Sequence, residues 1–228
     1  MNAPARGKAL IADDHGLYRT GLGFLLRDQL GFDEIVEVAG FDEALDQLAA
    51  NREITLALFD LSMPGMGGPD SLVLVREAYP DLRVAVVSAS EDRNDVLETL
   101  AAGLGGYVPK SLPDDEIVAA LESVISGKVF VPRFMAQPMP GQRFAPPLAQ
   151  AQPRPAKALR LEDLTPRQRD VLDGVLKGLS NKEIARSLDI AEGTVKIHLS
   201  ALFSQLGARN RTDLATRSQL LFGGSLGR

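Results

Sequence analysis

Residues 8–126 alternate between short apolar runs and amphipathic segments, and this alternation restricts the fold more than any other feature of the chain. The runs are KALIAD (8–13), EIVEVAG (34–40), ITLALFD (54–60), LRVAVVSAS (82–90) and GGYVPKS (105–111). Residues 18–30, 42–51, 70–79, 93–103 and 113–126 instead carry apolar side chains at helical spacing. Side chains repeat every two residues along a strand and every 3.6 along a helix, so the two patterns separate five strands from five helices. Strict alternation of the two predicts a parallel, doubly wound α/β sheet. Strand interiors apolar at consecutive positions agree, because such a sheet is covered on both faces.

An open parallel sheet collects functional groups at the carboxyl ends of its strands. Read in order, those ends carry Asp13 and Asp14, then Asp60, Ser88 and Lys110. Asp60 closes an apolar run, and a buried carboxylate without a partner costs several kcal/mol. The rim supplies partners: hard carboxylate oxygens suit Mg²⁺, and Lys110 brings a second positive charge. The glycines in DLSMPGMGG (60–68) let the chain turn back after Asp60.

Residues 129–160 contain seven of the fourteen prolines, five basic residues and no acid, and read as an extended linker between a 1–128 domain and a 161–228 domain. Beyond it the pattern is wholly helical. Thr165 and Pro166 open a helix that Gly178 ends. Ser180 and Glu183 form a capping box for a short second helix. Residues 192–206 make a third, with Val195, Leu199, Leu202 and Leu206 as its buried stripe, and 211–221 a fourth. Two helices joined tightly form a helix-turn-helix, whose second member can enter the DNA major groove, although the same pattern also fits a plain helical bundle with solvated Lys and Arg. The stripe leaves Thr194, Lys196, Ile197, Ser200 and Ser204 on other faces.

Composition narrows the class. Residues 1–128 carry 10 basic against 22 acidic residues, whereas 161–228 carry 10 against 8, so the two domains face different partners. There are no cysteines and only two histidines, which excludes disulfides and most thiolate or imidazole metal sites. No run suits a membrane span or a secretion signal, so a soluble cytoplasmic protein is expected. ADDHGLYRTG follows the first strand in place of a GxGxxG loop, which disfavours dinucleotide binding. No front-half segment is long enough for the substrate cap of a phosphoaspartyl hydrolase. A conventional enzyme is therefore not expected.

The set ADDH, DLSMPGMGG, SAS and YVPK, in this order over residues 7–128, resembles the receiver domain of two-component response regulators. Residues 164–214 resemble a LuxR-type helix-turn-helix, and the pair is similar to the NarL/FixJ subfamily. The resemblance implies a five-stranded flavodoxin-like sheet of order 2-1-3-4-5 and a four-helix DNA-binding domain. It implies that Asp60 accepts a phosphoryl group from a histidine kinase. Asp14, Asp60 and the Ser62 carbonyl would ligate Mg²⁺, with Asp13 acting through water. Ser88 and Lys110 would hold the phosphoryl oxygens, with Ser88 and Tyr107 as the switch pair. Pro109 resembles the family's cis-proline turn. Lys196, Ile197 and Ser200 would reach base edges, while Asn181, Lys182, Thr194 and His198 would meet phosphates. Leu214, Ala215 and Ser218 would form the surface of a homodimer on double-stranded DNA. In the unphosphorylated protein the receiver would cover the recognition helix. The competing reading is a phosphorylation-independent DNA-binding protein whose receiver is only a dimerisation or docking module.

Overall fold

A computed structural model describes residues 6–136 and 161–222. The front half is β1 (Lys8–Ala12), α1 (Gly16–Asp28), β2 (Glu34–Val38), α2 (Phe41–Ala50), β3 (Ile54–Phe59), α3 (Pro69–Ala78), β4 (Arg83–Ser88), α4 (Arg93–Ala101), β5 (Tyr107–Pro109) and α5 (Asp114–Ile125). All strand pairs are parallel and the order is β2-β1-β3-β4-β5, as the alternation requires.

The strands are apolar on both sides because they feed two cores. Leu10, Ala12, Ala57 and Phe59 join α2, α3 and α4 on one face. Ala9, Ile11, Leu56 and Leu58 join α1 and α5 on the other. Each fully buried Leu, Ile or Phe contributes about 1.5–3 kcal/mol, so these two layers hold the sheet rigid beneath its rim. Three acids, Asp114, Asp115 and Glu116, lie in the first turn of α5, where they meet the positive end of the helix dipole.

The back half is α6 (Pro166–Leu176), α7 (Asn181–Leu188), α8 (Glu192–Leu206) and α9 (Arg211–Phe222) around a third core. Ser180 and Glu183 form the expected capping box, and Thr165 forms another with Gln168. Asp189 in the left-handed region (φ 54°) ends α7 and sets the tight turn into α8.

Three expectations change. Residues 129–136, assigned to the linker as part of the proline-rich, acid-free stretch 129–160, pack on the receiver instead. Phe130 bridges to Gly106, Phe134 and Met135 pack against the α2–α3–α4 core, and Arg93 donates to the carbonyls of Phe134 (3.0 Å) and Met135 (2.8 Å). The rest of the linker, 137–160, lies outside the described residues, as does the tail 223–228. Pro109 departs from the family's cis turn: among the described residues no peptide bond is cis, and Pro109 continues β5 in register with Ser88. Leu214 and Ser218 do not form an outer surface of α9. Leu214 lies in the third core, and the buried Ser218 hydroxyl donates to the Leu214 carbonyl. Ala215 is half-buried, and the exposed apolar residues of α9 are Leu220 and Leu221. Among the described residues, no helix is long and apolar enough to cross a membrane.

Candidate functional site

The ladder runs one residue past each strand and so fixes the rim. Asp13 N donates to Val38 O (3.1 Å), Asp60 N to Ala12 O (2.9 Å) and Lys110 N to Ser88 O (2.8 Å). The side chains that leave these positions converge. Lys110 Nζ lies 2.6 Å from Asp13 Oδ2 and 2.9 Å from Asp60 Oδ2. Both carboxylates are about 2% exposed at the side chain, so the ammonium answers a charge problem that burial would otherwise make severe. The other Asp60 oxygen accepts from Ser62 N at 3.1 Å, which ties the acid to the loop that follows it.

Asp14 and His15 complete the rim on the solvent side, with His15 Nδ1 2.8 Å from Asp14 Oδ1. One ligand atom from each of Asp13, Asp14, His15 and Asp60 falls within a 4.8 Å cluster, a donor set dominated by the hard oxygens that Mg²⁺ takes. His15 is also the residue that opens α1. Ser88 is buried and its Oγ accepts from Ser90 N (3.2 Å). Tyr107 is fully buried, its ring turned inward and its hydroxyl donating to Ser90 O at 2.6 Å. Ser90 Oγ in turn donates to Asp95 Oδ2 (2.7 Å), so the β4–α4 loop is one connected network.

The helix-turn-helix lies against the receiver, so its recognition helix is covered. α8 packs lengthwise on α3 of the receiver, and Gly67 sits so close that a Cβ there would lie 2.5 Å from Ala201 Cα. Ile197, expected at base edges, is 1% exposed and belongs to the receiver-side core. Thr194 and His198, expected at phosphates, are also buried. The reason is a second apolar face: Thr194, Ile197, His198 and Ala201 lie one helical spacing apart and meet the receiver, while the stripe of Val195, Leu199, Leu202 and Leu206 meets the domain's own core. Lys196 stays exposed and Ser200 half-buried, while Lys182 is open and Asn181 Oδ1 accepts from Arg211 Nη1 (3.1 Å).

Two glutamines that sequence reasoning left without a role hold this arrangement. Gln168 Nε2, fully buried, donates to Gly65 O at 2.8 Å, and Gln205 Nε2 donates to Met66 O at 3.4 Å. Both acceptors belong to the β3–α3 loop. Nothing in either glutamine's local sequence marks it, since the partner is more than a hundred residues away.

His198 Nδ1 lies 3.4 Å from Asp42 Oδ1 inside this interface. Burial holds the imidazole down at about 4, with the Arg167 guanidinium adding to the effect and the Asp46 carboxylate opposing it. The closed arrangement therefore keeps His198 neutral, while a solvent-exposed His198 binds a proton near its ordinary 6.5. Its contribution to closure is full above about pH 6.5 and is lost as pH falls towards about 4, amounting to about 2 kcal/mol by about pH 5. Asp42, pushed up by burial, acts in the opposite sense. A His198→Asn comparison isolates the histidine, because Asp42 is common to both proteins. Interdomain energy transfer between two introduced labels should fall on acidification in the native chain and change less in the variant.

Residues 9–122 match the family profile "Response regulator receiver domain", and residues 162–218 match "Bacterial regulatory proteins, luxR family". The chain is 38% identical over 215 residues to a glycerol metabolism activator of Pseudomonas putida, covering 90% of this chain and 92% of that protein. It is 32% identical over 209 residues to the nitrate/nitrite response regulator protein NarL of Escherichia coli, again covering 90% and 92%. The fold is shared with a solved RcsB response regulator of Salmonella typhimurium, at 21% identity and a TM-score of 0.54, over 96% of this chain and all of that one. With a receiver whose strand ends carry the acidic rim and a helix-turn-helix behind it, the chain belongs to the NarL/LuxR-family response regulators, transcription factors that join a receiver to a LuxR-type DNA-binding domain.

Proposed function

We propose that Asp60 accepts a phosphoryl group from the phosphohistidine of a cognate histidine kinase, and that this modification releases the helix-turn-helix to bind double-stranded DNA as a homodimer. One observation carries the reading: the β3–α3 loop accepts the ties from Gln168 and Gln205 at one end and donates to Asp60 at the other. A phosphoryl group on Asp60 adds about 1.5 to 2 negative charges and three acceptor oxygens beside the amide of Ser62. The loop must answer that change, and the interdomain ties move with it.

The chemistry is in-line transfer: an Asp60 oxygen forms the new bond to phosphorus as the phosphorus–nitrogen bond of the donor breaks. Asp13, Asp14, Asp60 and the Ser62 carbonyl would hold Mg²⁺, which supplies positive charge to the phosphoryl oxygens when bound. Lys110 shifts from carboxylate to phosphoryl oxygen, Ser88 is drawn towards the group, and Tyr107 accompanies it as the switch aromatic. In the open form Lys196, Ile197 and Ser200 face bases, and Asn181, Lys182, Thr194 and His198 face phosphates. Dimer contacts run along α9 around Ala215, with Leu214 and Ser218 supporting that helix from within.

Incubation with Mg²⁺ and acetyl phosphate tests the reading by intact mass. The expected result is a gain of one phosphoryl group in the native chain and none in Asp60→Ala, with a shift towards dimer in the native chain only. An unmodified native chain overturns it, and the receiver is then a docking or dimerisation module.

A further inference from the structure

We propose that Tyr18 is a positioning residue for Lys110, and that its ring face keeps the lysine ammonium over the rim while the phosphoryl group is transferred. This rests on the reading of Asp60 as phosphoacceptor.

Tyr18 lies in the first turn of α1, four residues after Asp14, where a helical side chain leans back towards the helix start and so towards the end of β1. Lys110 Nζ lies 4.8 Å from the centroid of its ring, within the range of a cation–π contact. The ammonium is thus held on two sides, by carboxylates from the sheet and by an aromatic face from the helix.

The hydroxyl has a different character from the ring. It is buried and has no hydrogen-bond partner. Burial, and then the carboxylates of Asp13, Asp114 and Asp60, push its ionisation upward, so the phenol stays neutral. The part of Tyr18 that meets a functional group is therefore the ring.

The need for such a contact follows from the two carboxylate distances. Asp13 is the closer partner of Lys110, 2.6 Å against 2.9 Å for Asp60. Lysine is a point charge on a flexible four-carbon stem. Once Asp60 becomes an acyl phosphate, its negative charge moves out onto the phosphoryl oxygens while Asp13 keeps its own, so an ammonium on a flexible stem is divided between two competing anions. A ring face attracts the ammonium equally before and after transfer. Fixing a charge in advance, where negative charge develops, is how a site stabilises a transition state without reorganising.

The test uses the full-length chain with acetyl phosphate and Mg²⁺, comparing Tyr18→Phe, Tyr18→Leu and pentafluorophenylalanine at position 18. Phe keeps the ring and should react within about twofold of the native maximal rate. Leu and the fluorinated ring, whose face no longer attracts cations, should be about three- to tenfold slower, with the half-saturating donor concentration and the Mg²⁺ affinity unchanged. A fluorinated ring as fast as Phe overturns the inference and leaves Tyr18 a packing residue. Phe as slow as Leu also overturns it, because the hydroxyl would then be the working group. If Leu impairs folding, the Phe and fluorinated pair decides, since they share one shape. A native chain that takes up no phosphoryl group fails the Asp60 reading itself, whereas a native chain that reacts with no sensitivity to the ring fails only this inference.

Discussion

Gly67→Val should raise the affinity for DNA, measured without any phosphodonor, by about 5- to 150-fold. The position lies on the receiver, so the substitution leaves every group of the helix-turn-helix untouched. A Cβ at Gly67 would fall 2.5 Å from Ala201 Cα and 2.9 Å from Ser71 Oγ. The serine hydroxyl can rotate away, but the backbone of α8 cannot move without lifting the helix from α3. Overfilling a packed contact costs about 1–3 kcal/mol, which sets the expected range once converted to a ratio of open to closed forms. A duplex enriched from a random pool serves as the probe, and interdomain energy transfer reports opening in parallel. Unchanged affinity with unchanged transfer would mean that the interface absorbs the side chain and that Gly67 does not set the closed form.

Lys110→Met should cost about 3–5 kcal/mol of receiver stability, the usual loss when one member of a buried ion pair is removed. The variant keeps an apolar stem of similar length, so the loss reads the ammonium rather than packing. Asp13 and Asp60 would then face each other in the rim with Ser62 N, the His15 backbone amide, 2.9 Å from Asp13 Oδ1, and the exposed His15 imidazole, 3.4 Å from the same oxygen, as the neighbouring donors. Divalent cation should return part of that stability, because a cation that binds only the folded form adds to it by mass action. Denaturant titration with and without Mg²⁺ measures both quantities. A variant as stable as the native chain in the absence of Mg²⁺ would show that solvent already screens the carboxylates.

The receiver was almost fully legible because its strands and helices are buried mainly by one another. Ile11 and Leu58 read as strand, and Leu45 and Leu48 as helix, because their partners follow the same local periods. The rim was legible for a geometric reason: in a parallel sheet, residues just past successive strands meet at one end. The two faces of α8 were not separable from sequence. Thr194, Ile197, His198 and Ala201 could meet DNA, solvent or another domain with the same periodicity, and only the position of α3 decides among these. Leu214 and Ser218 misled for a related reason, since α9 is apolar at spacings compatible with either an inner or an outer face. Residues 129–136 looked like tether because proline and missing acids mark the whole stretch, while Phe130, Phe134 and Met135 were too few to register as packed structure.

The covered face of α8 also binds the two ends of the molecule into one thermodynamic account. On the proposed reading, a phosphoryl group at the rim and a duplex on α8 both favour the form in which α8 has left α3. Two ligands that favour the same form must strengthen each other by equal factors. The operator is then an effector of the receiver: a chain held on DNA should carry its phosphoryl group at a higher equilibrium occupancy than a free chain, by the same ratio that the phosphoryl group confers on DNA affinity. The promoter would thus retain the signal it receives, and the cell's pool of modified regulator would be drawn towards the sites where it acts.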